Sequence, residues 1–127
     1  MNFFDAQLSE ADGHMKLDIG FTQLDVPDDR KDRYKAYVGK SVTFGLRPED
    51  IHHPDYPPTD IKPSQVETDV DVIELMGNEK IVYLTNEGTT YLARMDPRSD
   101  VRVGLKTGAL FNMANMHLFD DQTGEAI

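Results

Sequence analysis

The stretch Ser41 to Ile51, Ser-Val-Thr-Phe-Gly-Leu-Arg-Pro-Glu-Asp-Ile, constrains this chain most. Val42, Phe44 and Leu46 alternate with Thr43, Gly45 and Arg47, the period-2 pattern of a strand with one face buried. Pro48 ends that strand, because it has no N–H for a ladder and holds Arg47 extended. Glu49-Asp50-Ile51 is too short for a helix. It reads as a single turn that returns an apolar anchor, Ile51, to the core.

The same grammar repeats along the chain. Asn2 to Glu10 reads as a strand, Ala11-Asp12-Gly13 as a turn, and Met15, Leu17 and Ile19 as alternate positions of a second hairpin strand. Thr22 to Val26 is a short third strand stopped by Pro27. Asp28 to Gly39 is the one helix candidate, with Asp28 or Asp29 as cap, Gly39 at its C-terminal end, and Tyr34, Tyr37 and Val38 on one stripe. His52 to Pro63 holds four of the prolines and reads as an extended surface loop. Val66, Thr68, Val70 and Val72 then share the inward face of a strand. Gly77-Asn78 and Asn86-Glu87-Gly88 turn it into a three-stranded meander ending at Met95. Asp96 to Asp100 and Gly104 to Gly108 read as loops, Ala109 to Met113 and His117 to Phe119 as the last strands, and Asp120 to Ile127 as a polar, fraying tail. Many short strands with one short helix predict a mainly all-β fold, a small β-barrel formed by residues 1–127 as a single domain.

Charge and composition narrow the chemistry. With 13 basic and 23 acidic residues among 127, the formal charge is −10, which repels phosphate backbones and argues against nucleic acid as a partner. There is no cysteine, so disulfides and thiolate chemistry are excluded. No apolar run approaches the roughly 20 residues of a membrane-spanning helix. No stretch matches G-x-x-x-x-G-K-[ST], and no nucleophile elbow surrounds Ser9, Ser41, Ser64 or Ser99. His52 and His53 are adjacent on an extended chain, where their rings point to opposite sides, and no second ligand cluster accompanies them. Neither a metal nor a catalytic residue is therefore assigned.

Four stretches carry a resemblance. Gly45-Leu46-Arg47-Pro48-Glu49-Asp50-Ile51 resembles the "G-[IL]-R-P-E-x-[IL]" segment in the C-terminal regulatory domain of MalK/UgpC-like sugar-importer ABC ATPases. Met1 to Phe4 resembles the start of that domain, and Val72 to Glu79 its "V-x-E-x-[LM]-G-x-E" strand and turn. Asn115 to Asp120, with Thr123 to Ile127, resembles its closing "H-[LF]-F-D-x-x-T-G-x-[AR]-[IL]". The likeness runs from Met1 to Ile127 and departs from the family in the proline-rich loop.

The resemblance implies a TOBE-type, OB-like barrel without catalytic activity that regulates an ATP-binding subunit and holds two such subunits together. ATP and Mg would belong to an ATPase domain outside this chain, with Met1 an internal methionine or a cloning start, and no cofactor is expected here. The implied partners are a second copy, permease subunits reached through the ATPase domain, and a regulatory protein or metabolite. The implied location is the cytoplasmic face of the cell membrane. The alternative is a TOBE module binding a small sugar, metabolite or oxyanion. The candidate interface or structural positions are Arg47, Glu49, Glu74, Gly77, Asn78, Glu79, His117 and Phe119. Glu74 and Glu79 are the acceptors expected for Arg47, and Met76, Met113 and Met116 are expected in the core.

Overall fold

The computed structural model describes residues 1–59 and 63–127. Asp60, Ile61 and Lys62, the end of the proline-rich loop, lie outside the described residues. The mainly-β, OB-like class read from the sequence holds, with ten strands and one short α-helix among the described residues. Two compact units divide the chain. The first comprises Met1, residues 3–46 and residues 113–127; the second comprises Asn2 and residues 47–112.

The sheet of the first unit has the order β10-β4-β1-β2-β3. Its strands are β1 (Asn2–Ala11), β2 (His14–Asp18), β3 (Gln23–Asp25), β4 (Ser41–Leu46) and β10 (His117–Asp120). Ala11 pairs with His14 across Asp12-Gly13, whose φ values of 55° and 78° are those of the turn that matches strand twist. Phe4, Leu8, Leu17, Val42, Phe44 and Leu118 meet in its core, with the Phe4 and Phe44 rings stacked at 5.6 Å.

Structure shortens the expected helix. Only α1 (Lys31–Tyr34) is α-helical, followed by a 3-10 turn at Lys35–Tyr37. Neither Asp28 nor Asp29 caps it; Arg30 occupies the cap position without a side-chain hydrogen bond and sends its guanidinium to the carbonyls of Met116 and Ala114. The helix stops because the backbone after Tyr37 pairs elsewhere: Val38 bridges Leu8, and Gly39 N–H donates to Leu8 O at 2.7 Å. Tyr34 is buried, but Tyr37 and Val38 are not, so the stripe reduces to one anchor.

The tail is held rather than frayed. Tyr37 Oη donates to Asp120 Oδ2 at 3.1 Å, and Ile127 N–H reaches Leu118 O at 2.9 Å. The backbone N–H groups of Gln122 and Thr123 hold the Asp120 carboxyl below the usual carboxylate range.

In the second unit the order is β5-β9-β6-β7-β8. These are β5 (Ile51–His52), β6 (Ser64–Met76), β7 (Glu79–Asn86), β8 (Thr89–Met95) and β9 (Lys106–Phe111), so Lys106 to Gly108, read as loop, are strand. Val66, Thr68 and Val70 face inward as expected, and the Thr68 hydroxyl donates to Thr85 O at 3.3 Å. Tyr91 donates to Asn86 Oδ1 at 2.7 Å, and burial pushes its phenol up to about 12.

Val72 breaks the pattern. The register shifts between Val70 and Val72, a bulge that turns Val72 outward to 42% exposure. Beyond it β9 no longer pairs with β6, so the end of β6 becomes a sheet edge, paired to β7 alone, that carries exposed Leu75 and Met76. Met113 and Met116 are buried as expected; Met76 is not.

Phe44→Ala should cost about 3–5 kcal/mol in urea denaturation, the scale of an aromatic removed from a packed core. Leu75→Ser, at the exposed end of β6, should change stability by less than about 0.5 kcal/mol.

Candidate functional site

The motif positions resolve into local jobs. Gly45 lets its strand pass close to Met1 and Phe119: a Cβ there would meet Met1 Sδ at 2.6 Å, the movable end of an exposed side chain, and Phe119 Cε2 at 3.0 Å. Arg47 is exposed and extended, and its carbonyl accepts from Asp50 N–H at 2.9 Å. Pro48 opens a 3-10 turn, Pro48–Asp50, that delivers Ile51 to full burial. His117 pairs with Gly45, and its ring stacks 6.4 Å from that of Phe119, which meets Phe3 edge-on at 5.9 Å.

Arg47 does not pair with Glu74 or Glu79. Cross-strand register gives both carboxylates nearer partners, because diagonal neighbours on one face of an antiparallel pair are within side-chain reach. Glu74 accepts from Tyr83 Oη at 2.9 Å, which raises the Tyr83 phenol pKa. Glu79 Oε2 lies 3.6 Å from Arg94 Nε. Gly77, at φ 63°, makes the tight turn that brings Asn78 and Glu79 round.

Three of the eight positions converge. Glu49, Asn78 and Glu79 line a cavity of about 350 Å³ in the second unit, together with His52, His53, Tyr56, Arg94, Met95, Asp96 and Pro97. Arg47, Glu74, Gly77, His117 and Phe119 are not on its wall. Both adjacent histidines reach it, although an extended chain predicts opposite directions; His53 opens a turn closed by Tyr56 N–H on His53 O at 2.9 Å. Among the described residues no three His, Asp or Glu side chains are grouped to hold a metal.

The wall is braced from behind. Arg98 forks onto Asp96 with contacts of 2.9 and 3.0 Å, and these bonds hold the Asp96 carboxyl down at about 2. The same guanidinium lies 4.9 Å from the centre of the Tyr56 ring. Asp55 N–H donates to His53 Nδ1 at 3.1 Å. Sequence reading left Tyr56, Arg94 and Asp96 unassigned; the one signal was an aromatic set among prolines before an Asp-Pro step.

Residues 1–51 match the family described as the MalK OB fold domain. Over 125 residues the chain is 38% identical to the oligosaccharides import ATP-binding protein MsmX of Bacillus subtilis, covering 97% of this chain and 33% of that protein. This chain belongs to the MalK-type OB-fold family. It is also 35% identical over 130 residues to the trehalose/maltose import ATP-binding protein MalK of Thermococcus litoralis, covering 100% of this chain and 34% of that protein. The chain thus spans about a third of the length of the curated relatives it matches. Among solved structures it resembles the cytoplasmic molybdate-binding protein ModG at a TM-score of 0.64 and 17% identity, over 92% of this chain and 94% of that one. That likeness is one of fold. Among the described residues, no helix is long and apolar enough to cross a membrane.

Burial lowers the pKa of His52, with the Asp50 charge acting in the opposite sense. The unfolded chain therefore takes up a proton that the folded chain resists. Stability should fall as pH drops below the unfolded value of about 6.5. Urea midpoints at about pH 7.5 and about pH 5.5 should differ less in His52→Gln than in the parent chain.

Proposed function

We propose that this chain is a non-catalytic regulatory and dimerisation domain of the ATP-binding subunit of a carbohydrate-type ABC importer. The observation that carries the reading is the pattern of coverage: sugar-import ATP-binding proteins match essentially the whole chain, while the chain spans about a third of each. On this reading ATP and Mg are handled elsewhere in the parent protein. The permease subunits are met through that other portion, and the domain works at the cytoplasmic face of the membrane.

The mechanism is tethering. Two domains that hold each other raise the effective concentration of the ATPase portions they carry, so these can open and close without separating. Two copies bring twice −10, or −20, so the contact must be built from apolar rather than acidic surface. The second unit supplies such surface: Val72, Leu75 and Met76 at the end of β6 are exposed, as are Val103 and Leu105 in the segment whose backbone bonds to Val70. Exposed apolar side chains of this kind are what a partner covers. Arg47, exposed and without an ion pair among the described residues, is free to meet a carboxylate of that partner.

Sedimentation velocity of the 127-residue chain from micromolar to near-millimolar concentration tests the reading. A concentration-dependent dimer is expected, weakened about tenfold or more by Leu75→Asp and weakened by Arg47→Ala. A monomer at every concentration would sink autonomous dimerisation.

A further inference from the structure

The cavity of the second unit presents polar groups that the protein leaves unanswered. Among the described residues, the Glu49 carboxylate, the His52 imidazole, the Tyr56 hydroxyl and the Asn78 amide line it without a hydrogen bond or ion pair of their own. Their neighbours are engaged: Arg94 lies against Glu79, and Asp96 is chelated by Arg98, which also covers Tyr56. The wall therefore combines fixed supports with free donors and acceptors. Its volume of about 350 Å³ falls within the roughly 300–1,000 Å³ usual for small-molecule sites.

Chemistry selects the ligand class. Three carboxylates on the wall, Glu49, Glu79 and Asp96, face one lining guanidinium, that of Arg94, so an oxyanion is repelled. The free groups include an acceptor-only carboxylate, an amide that both donates and accepts, an imidazole and a phenol. Hydroxyl groups, each donor and acceptor at once, answer such a mixed set. We propose that this cavity binds a neutral polyhydroxylated small molecule, a saccharide or polyol, through Glu49, His52, Tyr56 and Asn78. This goes beyond the tethering reading and stands without it. A monomer that binds sugar leaves the site intact, whereas a dimer blind to sugar removes the site alone.

The test is amide chemical-shift titration of the full chain with glucose and with maltose, with molybdate and choline as charged probes. Saturable shifts with at least one sugar, concentrated at residues 49–56, 78–79 and 94–97, are expected. Asn78→Ala and Tyr56→Phe, each first shown to unfold in urea like the parent chain, should each weaken that binding by about tenfold, the scale of one lost polar partner. Three results would overturn the proposal: no saturable response to either sugar, saturation by molybdate or choline alone, or sugar shifts unchanged in both variants.

Discussion

Pro48 is the constraint on which the arrangement depends. Along β4 the even positions Val42, Phe44 and Leu46 are buried, so a strand continued without a break would turn Ile51 outward. Pro48 prevents this by withholding an N–H and fixing its own φ, and the 3-10 turn that follows shifts the side-chain phase. Ile51 then arrives fully buried and pairs with Phe111. At this turn the chain passes from the first unit to the second, and at Met113, in another 3-10 turn, it passes back. Asn112 N–H donates to Asp50 O at 2.8 Å, so the two ends of the 47–112 segment are clamped together. The fold rests on that clamp.

A second change of phase, at the bulge between Val70 and Val72, has the opposite consequence. There the chain keeps running as strand but loses its place on the buried face, and Ile73 rather than Val72 falls opposite buried Val82. Because β9 pairs with β6 only as far as Asp69, the end of β6 has one partner strand, β7, instead of two, while β7 keeps β8 on its other side. A strand end with a neighbour on one side only leaves its outward apolar side chains uncovered. The exposure of Leu75 and Met76 is thus a product of register, and it makes apolar surface where an acidic chain has little to spare.

These two phase changes show what the sequence could and could not tell. The Pro48 turn was legible because its cause is local: one residue type, one missing donor. The hairpin turns at Asp12-Gly13 and Gly77-Asn78 were legible for the same reason, since the left-handed backbone at Asp12, Gly13 and Gly77 favours those residue types. The bulge was not, because Val66, Thr68, Val70 and Val72 alternate without interruption and the slip exists only in the pairing with β7. The helix was overread for a related reason. Residues 28–39 have helical spacing, but a helix this short is marginal, and the pairing of Val38 and Gly39 with Leu8 outweighs its last turn. Eight motif positions were named, and only Glu49, Asn78 and Glu79 meet, since motif spacing orders residues along the chain and not across strands.

The cavity shows why a site can be well built and still leave little trace in a linear reading. Its wall takes one residue from the Pro48 turn, one from β5, two from the turn and start of β7, and others from the end of β8 and the loop after it. Most contributors are strand ends or short turns positioned by pairing along the sheet, while Tyr56 is placed by the turn that its N–H closes on His53 O. Arg98 adds stiffness by gripping Asp96 while covering Tyr56, so two walls share one guanidinium. A site assembled in this way separates its tasks: the paired strands set the distances, and the residues at their ends set the chemistry. Glu49, Tyr56 and Asn78 line the cavity without pairing in the sheet's strands, so their exchange would alter its polar surface rather than its frame.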